Sequence, residues 1–153
     1  MNEFVFDIEA DGLTPTKIHC LSIKTAKGIR STSKYANMEA FFSDPNKVLI
    51  GHNIQRYDIP AVEKILGVEV KAKLVDTLAL SWYLFPNRIM HGLASWGEDF
   101  GVPKPPIEDW EGLSVEEYIH RCEEDVKINH KLWQKCWSYL LRLYGDEEKA
   151  WRL

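Results

Sequence analysis

Two acidic residues interrupt an apolar segment near the N-terminus, in the stretch F-V-F-D-I-E-A-D-G-L that runs from Phe4 to Leu13. The alternation from Phe4 to Glu9 predicts a β-strand. Because side chains alternate between the two faces of a strand, Asp7 and Glu9 lie on one face, ~6–7 Å apart at the backbone. Two buried carboxylates at that spacing need a cation to stay ionised. This stretch alone leaves two interpretations open: a pair of metal ligands, or an edge strand whose acidic face meets solvent.

The segments after this strand predict a mixed α/β domain. A second strand is expected over 18–25 and a third over 28–33, which together with the first strand form an antiparallel meander. The other predicted elements are a short buried strand at 48–51 and short helices at 38–42, 59–66, 78–85 and 93–100. Asp76 lies before the third of these helices and is its predicted N-cap.

A long helix is expected in the C-terminal part of the chain. The segment Ser114-Val-Glu-Glu117 has the pattern of a capping box, and the apolar residues after it recur at helical spacing to about Tyr144. The preceding Gly101–Pro106 has the composition of a loop. The predicted fold class is therefore α/β: a mixed central sheet, with an antiparallel three-strand meander and then parallel strands, flanked by helices.

Length and composition restrict the possible functions. The 153 residues predict a single domain over 1–153, and the net charge of −4 argues against a simple basic protein that coats nucleic acid. It does not argue against an enzyme that holds phosphate through metal ions. The three cysteines form no C-x-x-C motif, which is typical of free thiols in a reducing compartment. No leader is recognisable, and no apolar run approaches the ~18 residues of a membrane span, so no membrane association is expected.

Two further acids are candidates to join Asp7 and Glu9. Asp58 ends the segment G-H-N-I-Q-R-Y-D directly before a predicted helix, where a helix N-cap is the alternative role. Asp125 borders the apolar stripe of the long helix, and an acid in that position needs a partner. The two glutamates before Asp125 are expected to be solvated.

The ordered motifs D-x-E, N-x-x-x-x-D and H-x-x-x-x-D resemble the DEDD (DnaQ-like) superfamily of 3′-to-5′ exonucleases. The closest resemblance is to the proofreading exonuclease domain of bacteriophage family A DNA polymerases. F-D-I-E-A-D-G-L resembles the first motif of those enzymes, H-N-I-Q-R-Y-D-I-P-A-V the second and C-E-E-D-V the third. V-D-T-L-A-L-S and H-G-L-A-S-W-G resemble their connecting segments, so the match covers nearly the whole chain. The ordered set is far more specific than any single piece.

This resemblance implies an RNase H-like fold and a site in which four carboxylates bind two divalent cations, Mg²⁺ or Mn²⁺. The carboxylates map to Asp7, Glu9, Asp58 and Asp125. Two such ions can activate a water molecule and stabilise the leaving oxygen. The implied activity is hydrolysis of DNA from the 3′ end, with release of nucleoside 5′-monophosphates.

The resemblance offers two versions of the general base. One version uses a Tyr four residues before the last Asp, where this chain has Arg121, which is not a base at ordinary pH. The other uses a His five residues before that Asp, and His120 is therefore the predicted base. Positions five apart in a regular helix point ~140° apart, so His120 reaches the site only if the helix is distorted before Cys122. The alternative is a surface histidine.

Two substrate contacts are predicted from the same resemblance. Leu13 resembles an apolar wedge placed against the terminal base, and a plain core position is the alternative. Asn53 resembles a substrate-contacting asparagine, and a turn residue is the alternative. Of the other histidines, His52 is expected to be structural and His91 to lie at the surface.

The expected partners are single-stranded DNA 3′ ends, with RNA left open, and a DNA polymerase if the domain proofreads during replication. A cytoplasmic location is expected, in the host cell if the gene is carried by a bacteriophage. Two other functions remain open. One is a 3′-to-5′ exoribonuclease acting on short RNA, and the other is a catalytically weak nucleic-acid-binding or docking module of the same fold.

Overall fold

Five strands form one mixed sheet in the computed structural model, which describes residues 2–102, 104 and 112–152. The strands are β1 (Glu3–Ala10), β2 (Ile18–Thr25), β3 (Gly28–Thr32), β4 (Val48–Gly51) and β5 (Lys73–Asp76). Their order in the sheet is β3-β2-β1-β4-β5. The pairs β3–β2 and β2–β1 are antiparallel, whereas β1–β4 and β4–β5 are parallel. The central strand is therefore β1.

Helices cover both faces of this sheet. They are α1 (Tyr35–Ser43), α2 (Ile59–Leu66), α3 (Thr77–Leu84), α4 (Leu93–Asp99), α5 (Val115–Tyr144) and α6 (Glu147–Ala150). The helices α1 and α2 pack on one face around Phe6 and Phe42. The helices α3 to α6 pack on the other face around Ile50 and Trp96. Because both faces are covered, all four residues of β4 are buried.

The central position of β1 determines the environment of its acids. Phe6 faces the core under α1 and α2, and Val5 faces the core under α5. By alternation, Asp7 and Glu9 share the face of Val5. The Cys122 thiol of α5 donates a hydrogen bond to the Asp7 carbonyl at 3.0 Å, so α5 packs directly over this part of the strand. The edge-strand interpretation of the two acids is therefore wrong.

The predicted fold class is confirmed, since the meander, the parallel strands and the long C-terminal helix are all present. The strand β5 was not predicted, because its four residues K-L-V-D have no clear alternation. The helix α5 runs without a break from Val115 to Tyr144. Of the predicted loop Gly101–Pro106, three prolines lie outside the described residues. Among the helices of the described part of the chain, none combines the length and apolar character that a membrane crossing requires.

Candidate metal centre

Three carboxylates from two elements converge on one point. Asp7 and Glu9 project from β1 and Asp125 from α5, and one carboxylate oxygen of each lies within 4.8 Å of the others. The parallel pairing of β1 with β4 ends at Val5, opposite Ile50. The acids of β1 therefore lie beyond the end of its parallel partner, where ligands bind in open α/β sheets.

Asp58 reaches this region through an unusual turn. The chain leaves β4 at Gly51, where an added Cβ would lie 2.3 Å from the Ile54 side chain, so a larger residue does not fit without a shift. A π-helical turn follows over Ile54–Asp58, directly before α2. Such turns are rare and are frequent at functional sites. This turn contains the four residues that separate Asn53 from Asp58 in the motif N-x-x-x-x-D.

Asp58 is buried, and burial raises the pKa of its carboxyl, an effect that the nearby backbone N–H of Ile8 partly offsets. Its side chain caps no helix, so the N-cap interpretation is wrong. Its charge raises the pKa of Asp7, and the charge of Glu9 raises the pKa of Asp58. Asp58 is therefore coupled electrostatically to Asp7 and Glu9, although it is outside the 4.8 Å group. Together the four form the carboxylate cluster: Asp7, Glu9, Asp58 and Asp125.

Asp76 holds the turn in place from the neighbouring strand. It accepts the backbone N–H of Leu78 at 3.0 Å, which confirms its predicted role as the N-cap of α3. It also accepts the N–H groups of Asn53 at 2.8 Å and Gln55 at 3.2 Å. One carboxylate thus starts a helix and fixes the turn that carries Asp58.

Asn53 lies in the left-handed region with φ of 63°, the only non-glycine residue of the described chain to do so. Asparagine tolerates this conformation better than most residues. The turn role is therefore sufficient to account for Asn53, and its contact with substrate stays a prediction.

Burial raises the pKa of all four carboxyls, and repulsion between them adds to the shift at Asp7, Glu9 and Asp58. The pKa of Glu9 rises to about 7, through burial first and the charge of Asp125 second. Within the described residues, the buried atoms Asp7 Oδ2 and Asp58 Oδ2 have no hydrogen-bond partner. Unpartnered carboxylate oxygens are the hard ligands that Mg²⁺ and Mn²⁺ prefer, so these residues fit divalent cations.

Two basic residues lie beside the carboxylate cluster. Lys104 Nζ is 3.1 Å from Asp125 Oδ1. Arg121 is buried on α5, and its charge lowers the pKa of Glu9 and of Asp125. Sequence reasoning noted Arg121 at the position of the general base, with a phosphate contact as its alternative role, but did not find Lys104, which lies far from the motifs in the chain.

His120 lies on the exposed side of α5, whereas Asp125 is buried. The distortion that would bring His120 to the site is absent, because α5 is continuous through this region. The geometry therefore does not support His120 as the general base. It is Arg121 that lies on the side of α5 facing the carboxylates.

A cleft of about 790 Å³ opens beside the metal centre. Its lining includes Glu9, Leu13, His19, Tyr57 and Tyr118. Leu13 is 95% exposed, so the core interpretation of this residue is wrong, and its role as a wedge stays a prediction. Sequence reasoning missed His19 and Tyr118, which look like ordinary strand and helix-stripe residues.

A second buried polar group lies on the same side of the sheet and is called the histidine cluster: His52, Thr77, Ser81, His91 and Trp96. The Ser81 hydroxyl lies 2.6 Å from His91 Nδ1 and accepts the Trp96 indole N–H at 2.9 Å. His91 Nε2 donates to the Arg88 carbonyl at 2.9 Å. Because a carbonyl only accepts, Nε2 carries a proton, and in the neutral imidazole Nδ1 then accepts from Ser81. The predicted surface position of His91 is wrong, since this side chain is buried and fully paired.

His52 links this cluster to the sheet. Its Nδ1 lies 2.9 Å from the Thr77 hydroxyl, and its Nε2 donates to the His91 carbonyl at 2.9 Å. The predicted structural role of His52 is confirmed.

No protein-family model matches the sequence, and no curated protein matches it. Several solved structures do. Brucella melitensis NrnC with bound Mg²⁺ superposes with a TM-score of 0.74 and 20% identity, over 97% of this chain and 78% of NrnC. The chain has the RNase H-like fold. NrnC has also been solved bound to pGG, with a TM-score of 0.73.

Two other similar structures belong to larger chains. Escherichia coli RNase D, an exoribonuclease involved in structured RNA processing, gives a TM-score of 0.67 and 19% identity, over 94% of this chain and 40% of RNase D. The family B DNA polymerase of Pyrobaculum calidifontis gives 0.65 and 21%, over 92% of this chain and 25% of the polymerase. The predicted resemblance is thus confirmed for the fold, whereas closeness to bacteriophage family A polymerases stays a prediction.

Proposed function

We propose that the protein is a metal-dependent 3′-to-5′ exonuclease of the DEDD type. The observation that carries this proposal is the convergence of carboxylate oxygens from Asp7, Glu9 and Asp125 within 4.8 Å, in a buried place where burial and mutual repulsion oppose their ionisation. A fold gains nothing in stability from such an arrangement unless cations bind to it.

The carboxylate cluster holds two divalent cations, Mg²⁺ or Mn²⁺. When bound, the cations supply a water molecule of lowered pKa and positive charge at the phosphate. Asp7 and Glu9 are fixed by the central strand and Asp125 by a long helix, so these ligands need little reorganisation. Asp58 completes the set from the π-helical turn that Asp76 holds.

No side chain is assigned as general base. Arg121 stays protonated at ordinary pH and cannot accept a proton. The Arg121 guanidinium and the Lys104 ammonium both place positive charge beside the carboxylate cluster, which favours binding of a phosphate group there. Activation of water in this proposal therefore depends on the carboxylates and their cations.

The proposed substrate is a single-stranded 3′ end that enters the cleft beside Glu9. Two of the similar proteins are an exoribonuclease and a DNA polymerase, and NrnC binds pGG. DNA is the substrate that the sequence motifs favour, and short RNA fits the same proposal. Proofreading with a polymerase is a further prediction for the DNA case.

A cleavage time course tests the proposal. Single-stranded DNA and RNA oligonucleotides of one sequence, labelled at the 5′ end, are incubated with Mg²⁺ or Mn²⁺. We expect a ladder that shortens from the 3′ end and nucleoside 5′-monophosphates as products. The ratio of the two rates gives the preferred nucleic acid.

Neighbouring residues of α5 provide the matched variants. Asp125→Asn removes a cluster oxygen, and Glu124→Gln removes the charge next to it, where Glu124 pairs with Lys127 at 3.6 Å. Mutation of a residue that merely supports a ligand costs about 10–100-fold, so loss of a ligand should exceed about 100-fold. Glu124→Gln should cleave normally. Oligonucleotide binding without cleavage under either metal would contradict the proposal and favour a docking module.

A further inference from the structure

The cleft beside the metal centre contains two stacked aromatic rings that metal binding does not use. The imidazole of His19 lies parallel to the ring of Tyr118, with centroids 4.0 Å apart and an interplanar angle of 9°. Tyr118 is buried and His19 is half-buried, so His19 is the outer ring of the pair. Both line the same cleft as the ligand Glu9 and the exposed Leu13.

A β-bulge places His19 in this position. On β2, Cys20 pairs with Glu9, and the next pair joins Ile18 to Ala10, so His19 is an extra residue between them. Ile18 packs in the core under α1 and α2, whereas Cys20 packs with Tyr118 on the opposite face. The consecutive residues His19 and Cys20 therefore both face α5. Bulges of this kind re-aim side chains beside active sites.

The chemistry of the outer ring suits a nucleobase better than a phosphate. Burial and the charge of Lys17 lower the pKa of His19, which favours its neutral imidazole. A neutral flat ring stacks on a base, and every base offers a π-face. The cleft volume of about 790 Å³ lies within the ~300–1,000 Å³ typical of ligand sites.

We propose that His19, supported by Tyr118, is a stacking platform for the base of one of the last two nucleotides at the 3′ end. The inference rests on the proposed exonuclease function, since the cleft joins the metal centre through Glu9. The platform contacts the base and not the sugar. It therefore acts equally on DNA and RNA and accepts all four bases.

The test removes the base from the substrate and, in separate variants, the aromatic ring from the protein. Single-stranded oligonucleotides carry either a normal base or a tetrahydrofuran abasic residue at the last or the last-but-one position. Initial rates give kcat/KM for the wild type, His19→Ala and His19→Phe. His130→Ala is the matched control, because His130 is a half-buried histidine of α5 in a different cleft, with Lys24 and Trp133.

We expect the wild type to lose about 5- to 160-fold in kcat/KM on one of the two abasic substrates, the factor that corresponds to about 1–3 kcal/mol per stacked base. His19→Ala should lose a similar factor on the normal oligonucleotide and should no longer distinguish it from the abasic one. His19→Phe keeps a flat ring and should retain the wild-type discrimination, and His130→Ala should do the same.

A second readout does not need cleavage. With 2-aminopurine at the sensitive position, binding to the wild type in Ca²⁺ should quench its fluorescence, and His19→Ala should remove the quenching. Equal cleavage of normal and abasic ends by the wild type would overturn the platform while leaving the exonuclease in place. Unchanged discrimination in a folded His19→Ala protein would also overturn it. Absence of any cleavage by the wild type would overturn the proposed function, and the platform with it.

Discussion

The carboxylate cluster and the histidine cluster are both buried polar groups on the side of the sheet that α3 to α6 cover, but their hydrogen bonding differs. In the histidine cluster, Ser81, His91 and Trp96 pair donor with acceptor in one consistent arrangement. In the carboxylate cluster, Asp7 Oδ2 and Asp58 Oδ2 have no partner within the described chain. The carboxylates there repel one another, and the positive charges of Lys104 and Arg121 offset part of this repulsion.

This difference separates structure from function. A buried polar group stabilises a fold only when its hydrogen bonds are complete, and an incomplete group costs stability. The histidine cluster therefore holds α3 and α4 in place, whereas the carboxylate cluster is complete only with cations. Opposite responses to mutation, metal and pH follow for the two clusters.

The largest expected effect comes from Asp7→Asn. Cleavage should fall more than about 100-fold, because a metal ligand is lost. The metal-free protein should become more stable, because a buried charge opposed by burial and by Asp125 is removed. Activity assays and thermal unfolding in EDTA measure the two effects, with the surface change Asp44→Asn as control. A less stable metal-free Asp7→Asn protein would contradict the comparison.

Ser81→Ala should give the opposite pattern. It leaves His91 Nδ1 and the Trp96 indole N–H without their partner, at a cost of about 1–3 kcal/mol. For a chain of this size, 1 kcal/mol corresponds to a Tm change of about 2–4 °C. The loss should be the same in EDTA and in Mg²⁺, and Ser43→Ala at the exposed end of α1 should change neither value. If Mg²⁺ reversed the stability loss of Ser81→Ala, the two clusters would be energetically coupled, and the comparison between them would fail.

The two clusters should contribute opposite slopes to the pH dependence of stability. Burial raises the pKa of Glu9 from 4.5 to about 7, so the folded state binds more protons than the unfolded state in this range. Stability of the metal-free protein then falls as pH rises from about 4.5 to about 7. Burial lowers the pKa of His52 from 6.5 to about 4, so the contribution of His52 to the stability of the protein is lost as pH falls through that range.

The two contributions have opposite signs and overlap between about pH 4.5 and 6.5. Thermal unfolding across pH 4–8 is therefore measured for the wild type and for Glu9→Gln, and the difference between the two proteins isolates Glu9. The metal-free wild type should lose stability relative to Glu9→Gln as pH rises from about 4.5 to about 7. Saturating Mg²⁺ should reverse the sign of this difference, because metal binding requires ionised carboxylates. The loss toward acid should persist in both cases. A metal-free wild type that gains stability relative to Glu9→Gln as pH rises from about 4.5 to about 7 would contradict the sign given to Glu9.

Lys104→Met should have a smaller effect. Removal of the ammonium from Asp125 leaves the carboxylates with less compensation, so the metal-free protein should lose about 1 kcal/mol or less. Mg²⁺ should restore most of this loss. Lys127→Met, which removes the pair with Glu124 on the surface of α5, should show no such metal dependence. Equal losses with and without Mg²⁺ would mean that Lys104 does not compensate the cluster.

His120→Ala should have the smallest effect. The side chain is exposed on a continuous helix, so kcat should stay within about twofold of the wild-type value, since surface substitutions are usually nearly neutral. The cleavage assay used for Asp125→Asn measures it. A large fall in kcat with normal folding would restore His120 as the general base and would require α5 to distort on substrate binding.

Much of this protein could be predicted from its sequence because the signals are local. Alternation placed Asp7 and Glu9 on one face, and the helical stripe pointed to Asp125 as an acid in need of a partner. The short apolar run before Gly51 and the capping box at Ser114 marked elements that the structure contains. Each of these predictions depends on residues within a few positions of one another.

The predictions that failed depend on distant parts of the chain. His91 looks like a loop residue, yet Ser81 and Trp96 enclose it after the chain folds back. The covered face of β1 exists because α5, more than a hundred residues later, packs over it.

The sequence by itself determined β1 to β4 and the helices α1 to α5, because the alternation of apolar and polar residues is read within single elements. The identity of the four acids followed from the resemblance of the ordered motifs to known exonucleases. Tertiary structure alone decided what surrounds those acids. The π-helical turn aims Asp58, the bulge on β2 turns His19 toward α5, and Lys104 reaches Asp125 across the fold. One inserted residue in a helix or strand rotates a side chain to another face. The local sequence pattern does not show where such an insertion lies, because its position depends on how the neighbouring elements pack.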